Sequence, residues 1–324
     1  MFILAVDDDP FILELLSEII DHIGGHTLVT AASGSKALDI LHDDDSFDCI
    51  MLDIQMPDMD GIEVCRALRQ IPGYEVAPVL MLTAMSEKSY IDSAFLAGAT
   101  DYLNKPFEIT ELRVRLGVLE ELVAARTRQG ATLVATPSGA RTVTSDHPMS
   151  IYRPFEIHDI AGIVDAVALE NYVAKLSRAR LFGSSVFAVS VRRVEQLFHQ
   201  MSPFDFQCMI VDVAEALADT MAAHAFIGAY AGNGTFVCVV EGARLPDFER
   251  FTDQLNLAIH RLEMHSSKGA RLHVRVSTGN AMRIMWRSGA TALDALSQAV
   301  TAAEAEAQRA ERDLDDFWYL GASA

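Results

Sequence analysis

Short apolar runs that alternate with helical segments over the first third of the chain constrain its fold more than any other feature. Capping residues mark the helices: Pro10 suits the first turn of one, Ser33 precedes the next, and Gly98 closes a later one. Strands that alternate with helices predict an α/β doubly wound parallel sheet, with ligands beyond the carboxyl ends of the strands. The predicted strands lie near residues 2–6, 27–30, 49–52, 79–82 and 100–103, and the last helix of this half starts near Phe107.

The length of 324 residues exceeds what one such sheet needs. Residues 130–150 mix Gly, Pro, Ser and Thr without sustained periodicity, which predicts a linker. We therefore expect a first domain over residues 1–125, a helix extension and flexible linker over 126–150, and a second domain over 151–324.

The charge balance and the cysteine pattern limit the possible partners and compartment. Against 45 acidic residues stand 26 Lys and Arg, a net charge of −19, which disfavours nucleic acid as a partner. The four cysteines have no CxxC spacing, so neither a disulfide framework nor a zinc site is expected. No apolar run reaches the ~18–20 residues of a membrane span, and the N-terminus lacks the positive region of a signal peptide. We expect a cytoplasmic protein with no membrane partner.

Polar residues follow four of the predicted strands at the edge where a ligand would bind. Asp7 and Asp8 follow the first strand, Asp53 ends the third, Thr83 ends the fourth, and Lys105 follows the fifth. Crowded carboxylates without His or Cys favour Mg²⁺. A lysine and a hydroxyl near them suit a phosphoryl group, and a carboxylate can itself be the nucleophile.

Each of these residues alone has a structural alternative. An Asp after a strand is most often a helix cap or a turn residue, as we expect for Asp9 before Pro10. Thr83 alone would suit a helix cap, and Lys105 alone would simply be exposed. The joint pattern at four strand ends favours a phosphoryl site.

Residues 1 to about 125 resemble the receiver domain of bacterial response regulators. The resemblance rests on the segments AVDDDP (5–10), LDIQMPDMDG (52–61), MLTA (81–84) and DYLNKPF (101–107). It implies a flavodoxin-like fold of five parallel strands and phosphorylation by a histidine kinase or a phosphotransfer protein.

The same resemblance assigns roles to individual residues. Asp53 would accept the phosphoryl group, while Asp7, Asp8, Asp53 and the backbone carbonyl of Gln55 would hold Mg²⁺. Thr83 and Lys105 would contact the phosphoryl group, and the Lys105–Pro106 bond would be cis. Tyr102 would be the aromatic switch that turns inward when Thr83 moves to the phosphate.

The second half predicts strands and helices in the order of a ferredoxin-like α+β fold. The turn between the second and third strands is Ala231-Gly-Asn-Gly234, a hairpin signal. Strands are predicted at 186–191, 225–230, 236–241 and 272–277, and helices at 162–181, 206–222, 246–263 and 291–312.

This half resembles the GGDEF domain of diguanylate cyclases. HDIAGIVDAVAL (158–169), GNGTF (232–236) and VSTGNA (276–281) are similar to its motifs. The family's metal-binding acids and substrate contacts are replaced, which implies a degenerate domain without cyclase activity, since two-metal chemistry needs carboxylates. The degenerate positions are Ser190, Phe198, His199, Gly232, Asn233, Gly234 and Thr235.

Three functions remain open at this point. The first is a phosphorylation switch whose second domain binds an unknown downstream protein. The second is a phosphorylation-controlled diguanylate cyclase with a divergent site, and the third is a nucleotide-sensing receptor. Assembly is a further prediction: Leu112, Leu116, Leu119 and Val123 have the spacing of a coiled-coil seam, which predicts a homodimer favoured by phosphorylation. Leu112 and Leu116 suit packing on their own sheet equally well, whereas Leu119 and Val123 are expected to lie beyond the docked part of the helix.

Overall fold

The computed structural model describes residues 1–44, 46–84, 88–130, 150–175, 184–240, 247–267, 269–283 and 292–321. It divides into two compact units, Met1–Pro148 and Met149–Ala324. The predicted linker falls mostly on residues 131–149, which lie outside the described residues. Within the described part of the chain, no helix has the length and hydropathy needed to cross a membrane.

The first unit alternates strands and helices as the sequence predicts. The first two helices begin at side-chain caps: the carboxylate of Asp9 accepts from the backbone N–H of Phe11, and Ser33 caps the next helix at Lys36. The elements are β1 (Phe2–Val6), α1 (Pro10–Ile23), β2 (Thr27–Ala31), α2 (Gly34–Asp43), β3 (Cys49–Asp53), α3 (Gly61–Leu68), β4 (Val79–Thr83), α4 (Lys88–Leu96), β5 (Asp101–Asn104) and α5 (Ile109–Gly130).

The five strands form one parallel sheet in the order β2-β1-β3-β4-β5. This is the flavodoxin-like order that we predicted for residues 1–125. Strands β3 and β4 are buried along their whole length, as expected for a sheet covered on both faces. The chain crosses from one side of the sheet to the other between β1 and β3, so a ligand site is expected at their carboxyl ends.

Helix α5 differs from the prediction that its leucine stripe forms a dimer seam. Leu112, Leu116 and Leu119 are all buried in the core of the first unit, beside residues of β1, β3, β4 and α1. Val123 is half-buried. The expectation that Leu119 lies beyond the docked part of the helix is therefore wrong, because the helix packs on its own sheet for three turns.

The second unit contains an antiparallel sheet and five helices among the residues that the structure describes. Its elements are α6 (Ala166–Lys175), β6 (Ser185–Val191), α7 (Val194–Gln200), α8 (Pro203–Met221), β7 (Phe226–Tyr230), β8 (Thr235–Val240), α9 (Phe248–Arg261), β9 (Val276–Thr278), β10 (Met282–Arg283) and α10 (Ala292–Gly321).

Strand β6 lies at the centre of this sheet, in the order β10-β6-β8-β7 with β9 also paired to β6. All of these pairs are antiparallel. One face packs against α8 and α9, and the other packs against α10 and α6. Helix α10 uses small side chains for this close approach: a Cβ on Gly279 would lie 2.8 Å from the backbone nitrogen of Ala303.

Two local predictions in this unit differ from the structure. The strand predicted at 272–277 begins only at Val276, because Leu272 N–H donates to Met264 O and turns the chain away. The Asn256 side chain then takes the backbone N–H and carbonyl of Val276. Helix α7 was not predicted. The helix predicted at 162–181 corresponds to α6, which ends at Lys175, and residues 176–183 lie outside the described part of the chain.

Candidate functional site

Three aspartates meet at the carboxyl ends of β1 and β3. Asp7 and Asp8 follow β1, and Asp53 is the last residue of β3. One carboxylate oxygen from each lies within 4.8 Å of the others. Asp7 and Asp53 are buried, whereas Asp8 is exposed. The backbone N–H of Asp9 donates to Asp7 Oδ1, which fixes that carboxylate at the start of α1.

Lys105 brings a positive charge to this cluster from the end of β5. Its Nζ lies 2.6 Å from Asp7 Oδ2 and 2.6 Å from Asp53 Oδ1. Its backbone N–H donates to Thr83 O at 2.7 Å, which ties the residue after β5 to the last residue of β4. The Lys105–Pro106 bond is cis, as the resemblance implied.

Burial and charge act in opposite directions on this ion pair. Burial raises the pKa of Asp53 above its usual range, and the hydrogen bond and charge of Lys105 offset only part of that effect. Burial works to lower the pKa of Lys105, but its hydrogen bonds to Asp53 and Asp7 and their charges hold it above its usual value. The lysine is therefore a fixed cation at neutral pH.

The turn after β3 keeps the backbone close to Asp53. A Cβ on Gly61 would lie 2.0 Å from the carbonyl oxygen of Asp53, so glycine is required there. The N–H of Gly61 donates to Ile54 O, and Asp60 and Glu63 form a reciprocal capping box at the start of α3. Gln55, whose carbonyl we expected in the metal shell, is exposed in this turn.

The donor set of this cluster fits Mg²⁺. Three carboxylates face one ammonium group, so the cluster carries excess negative charge. Every candidate ligand is a hard oxygen, which Mg²⁺ prefers, and its one exposed acid, Asp8, leaves water access. Asp7, Asp8 and Asp53 would hold the ion.

Thr83 and Tyr102, the two predicted switch residues, are both buried. Thr83 ends β4 with 1 % of its surface exposed. Tyr102 is 7 % exposed and packs edge-on against Phe95, with ring centroids 6.2 Å apart. The ring of Tyr102 lies inward in this structure, and its movement on phosphorylation stays a prediction.

The structure brings most of the degenerate positions of the second unit together. Ser190 at the end of β6 and Thr235 at the start of β8 are register partners, and Thr235 Oγ1 donates to Ser190 Oγ at 2.9 Å. Gly232, Asn233 and Gly234 form the adjacent turn, all with positive φ.

Phe198 and His199 lie elsewhere, on α7. Phe198 packs edge-on against Phe206 of α8, and His199 is exposed. The resemblance gave both residues as degenerate positions of the cyclase site, but Phe198 packs against the core of this unit.

Sequence reasoning missed the residue that contacts this turn from across the fold. Glu304 of α10 accepts a hydrogen bond from Asn233 Nδ2 at 2.9 Å, and Thr235 Oγ1 lies 3.5 Å from the same oxygen. It lines a pocket of about 470 Å³ with residues of β6, α7 and the hairpin. The sequence offered one signal for Glu304, an acidic residue within the alanine-rich segment of α10, but this residue belongs to no recognised motif.

Comparison with known proteins supports the assignment of the first unit. Residues 3–117 match the family model of the response regulator receiver domain. Response regulator MprA of Mycolicibacterium vanbaalenii is 36% identical over 158 residues, which are 47% of this chain and 67% of that protein. The chain therefore belongs to the response regulator family, through an N-terminal receiver domain.

Two other similarities cover a smaller share of the chain than the match to MprA. Transcriptional regulatory protein CpxR of Escherichia coli is 41% identical over 114 residues, 35% of this chain and 47% of that protein. The chain thus spans about half the length of CpxR. The solved structure of chemotaxis protein CheY4 of Vibrio cholerae has 34% identity, a TM-score of 0.35, and covers 36% of this chain and 97% of its own.

Proposed function

We propose that this chain is a two-component response regulator that is phosphorylated on Asp53 in a Mg²⁺-dependent reaction. Receiver domains interact with histidine kinases or phosphotransfer proteins, and we propose such a protein as the phosphoryl donor. The observation that carries the proposal is the position of Lys105 Nζ, 2.6 Å from both Asp53 and Asp7 in a cluster of three aspartates.

The chemistry assigns a separate task to each side chain. The Asp53 carboxylate attacks phosphorus, the bond from phosphorus to the donor breaks, and an acyl phosphate forms. Lys105 neutralises charge on the group being transferred, and the Thr83 hydroxyl can donate a hydrogen bond to it. Mg²⁺, when bound by the aspartates, supplies further neutralisation of the phosphoryl oxygens.

Labelling with acetyl phosphate and Mg²⁺ tests the assignment by intact-mass measurement. We expect a single added phosphoryl group on the full chain and none on Asp53→Asn, because an amide is not a nucleophile. The matched control is Asp58→Asn, an exposed aspartate of the same turn with a φ of 67°, which asparagine also tolerates. Labelling of Asp53→Asn at the wild-type level would contradict the assignment.

For the second unit we propose a GGDEF-like domain without cyclase activity that binds a downstream protein. The antiparallel order β9-β6-β8-β7, built from successive β-α-β-β-α-β elements, supports a ferredoxin-like fold. Where the cyclase family has metal-binding acids, Ser190 and Thr235 hydrogen-bond to each other. Hydroxyl groups are weak ligands for the two metal ions of phosphoryl transfer.

Glu304 is the one observation in favour of a divergent cyclase, since it brings a carboxylate to Asn233 and Thr235 from α10. Incubation of the phosphorylated protein with GTP and Mg²⁺ distinguishes the two proposals. Formation of cyclic di-GMP that is lost in Glu304→Gln would favour the enzyme, and we expect no product. Calorimetric titration with GTP and cyclic di-GMP tests the nucleotide-sensing alternative.

The name of CpxR describes a transcriptional regulatory protein, but that output does not carry over to this chain. The match covers 47% of CpxR. The net charge of −19 also opposes association with a phosphate backbone. We therefore propose that the downstream partner is a protein and not a nucleic acid.

A further inference from the structure

The entry segment, which we define as residues 150–157, leads the chain from the predicted linker into the second unit. It meets the β7–β8 hairpin at once: the backbone N–H of Asn233 donates to Ile151 O at 2.6 Å. Gly232 allows the two backbones to approach, since a Cβ there would lie 2.5 Å from Tyr152 O. The entry segment therefore covers the turn of this hairpin.

Two side chains attach the beginning of the entry segment. Ile151 is 8 % exposed and belongs to the core of the second unit. Tyr152 is 64 % exposed, but its hydroxyl donates to Glu195 Oε1 of α7 at 3.1 Å. One buried side chain and two hydrogen bonds thus connect these two residues to the rest of the unit.

Further along, the chain is anchored independently on β7. Ile163 forms a parallel bridge with Gly228 and is buried in the same core. The N–H of Gly228 donates to Gly162 O at 2.7 Å, and the N–H of Val164 donates to Gly228 O at 2.8 Å. These bonds do not involve the entry segment, so an opening of the entry segment can stay local while β7 keeps its neighbour.

The position of the entry segment in the chain gives this contact a possible part in signalling. The chain passes from the first unit to the second between Pro148 and Met149, close to Ile151. Coupling between two sites requires an element with two arrangements whose equilibrium both sites bias. Because Asn233 N–H already has its acceptor in the structure, the change left for a signal to make at this contact is opening.

We propose that the entry segment is an autoinhibitory cover of the β7–β8 hairpin and that phosphorylation of Asp53 opens it. Opening breaks the bond between Asn233 N–H and Ile151 O and exposes the hairpin turn, which carries three of the degenerate positions. This inference rests on the proposed function, because it assigns the regulation of the second unit to the phosphoryl group on Asp53. Allosteric couplings typically change an equilibrium by about 5- to 150-fold, which sets the size of the expected effect.

Amide hydrogen exchange of the full chain, with and without acetyl phosphate in the presence of Mg²⁺, tests the proposal. Peptides that cover residues 231–235 should exchange about fivefold faster or more after phosphorylation, because Asn233 N–H loses its acceptor. Peptides of α9 should not change, and Asp53→Asn should show no response at the hairpin. The intact mass of the same samples reports whether the phosphoryl group is present.

Ile151→Ala and Ile157→Ala form a matched pair of variants. Each removes one buried isoleucine of the entry segment from the same core, but Ile151 lies at the hairpin contact. We expect Ile151→Ala to exchange fast at the hairpin before phosphorylation and to respond little to it, whereas Ile157→Ala should respond like the wild type. If Ile151→Ala fails to fold by circular dichroism, Tyr152→Phe replaces it: loss of the hydroxyl that donates to Glu195 should also speed exchange before phosphorylation.

The outcomes separate this inference from the proposed function. Uptake of the phosphoryl group with unchanged or slower exchange at the hairpin would overturn the inference and leave phosphorylation of Asp53 standing. Equal responses of Ile151→Ala and Ile157→Ala would also overturn it. A wild-type chain that takes up no phosphoryl group would overturn the proposed function and this inference with it.

Discussion

At Asp53, burial and Lys105 act on the same carboxylate in opposite directions. The sequence predicted that both residues lie at the same edge of the sheet, because each follows a strand. The sequence did not predict how far burial and Lys105 offset each other in the pKa of Asp53, since that depends on how deeply the carboxylate is buried and on contacts across the fold. Lys105 and Asp7 are 98 residues apart and meet at 2.6 Å. Burial, together with the charges of Asp7 and Asp8, raises the pKa of Asp53 by more than the hydrogen bond and charge of Lys105 lower it.

This imbalance predicts that Asp53→Asn stabilises the first unit at neutral pH. Because the folded pKa of Asp53 lies above its unfolded value, the folded state holds the proton more tightly. The ionised side chain therefore lowers the free energy of unfolding above the folded pKa. That penalty disappears as the pH falls below the unfolded value of about 3.9. Asparagine is neutral throughout.

Calorimetric unfolding without Mg²⁺ measures the effect. The midpoint of Asp53→Asn should exceed that of the wild type at pH 7, and the two should converge as the pH approaches 4. Asp58→Asn, which changes an exposed carboxylate of the same turn, should follow the wild type at both pH values. A wild-type midpoint equal to or above that of Asp53→Asn at pH 7 would contradict this account.

At the scale of elements, local patterns predicted the buried strands well and the ends and edges less well. The strands β3 and β4 have continuous apolar runs, which fix their place between other strands. The edge strand β9 depends instead on Asn256, a side chain of α9 that takes the backbone groups of Val276. No local pattern contains such a long-range contact, so the edge strand was predicted too long.

Helix α5 shows the same limit. Leucines at 4-3 spacing suit a coiled-coil seam and a helix docked on a sheet equally well. The sequence could not separate them, because the difference lies in how far the sheet extends under the helix. Leu119 is 1 % exposed in the first core, so the stripe through Leu119 is already used within the unit. Homodimerisation stays a prediction that needs another surface.

Leu119→Ala should therefore destabilise the first unit rather than alter association. Removing a buried leucine side chain costs about 2–5 kcal/mol of unfolding free energy. Denaturant unfolding followed by circular dichroism measures the loss, and light scattering measures the mass. The control is Val118→Ala on the next residue of the helix, which is 40 % exposed and should cost far less. If Leu119→Ala had wild-type stability but a smaller mass in solution, Leu119 would belong to a dimer interface and not to the core of the first unit.

At the scale of the whole molecule, the chain has two units with separate cores. The first core lies between the parallel sheet, α1 and α5, and the second lies between the antiparallel sheet, α8 and α9. The sequence predicted both sheets because each has its own pattern of strands and helices. It did not predict the pocket that Glu304 lines in the second unit, because Glu304 and Asn233 are 71 residues apart and belong to no shared motif.

Separate cores, and one aspartate cluster among the residues that the structure describes, predict that Mg²⁺ stabilises one unit only. An ion that binds the folded form stabilises it by about 2.7 kcal/mol at a concentration of 100 times its dissociation constant. Because Asp7, Asp8 and Asp53 all belong to the first unit, its calorimetric transition should rise on addition of Mg²⁺ while that of the second unit stays in place. In Asp8→Ala, which removes the exposed carboxylate of the cluster, the rise should be largely lost.

Ca²⁺ at equal ionic strength is the control that separates binding at the site from screening. Screening acts alike for both ions, whereas a compact site formed by a few carboxylates distinguishes between them. Equal shifts of both transitions, or a full Mg²⁺ effect in Asp8→Ala, would show that the ion acts through the general negative charge of the chain and not through the aspartate cluster.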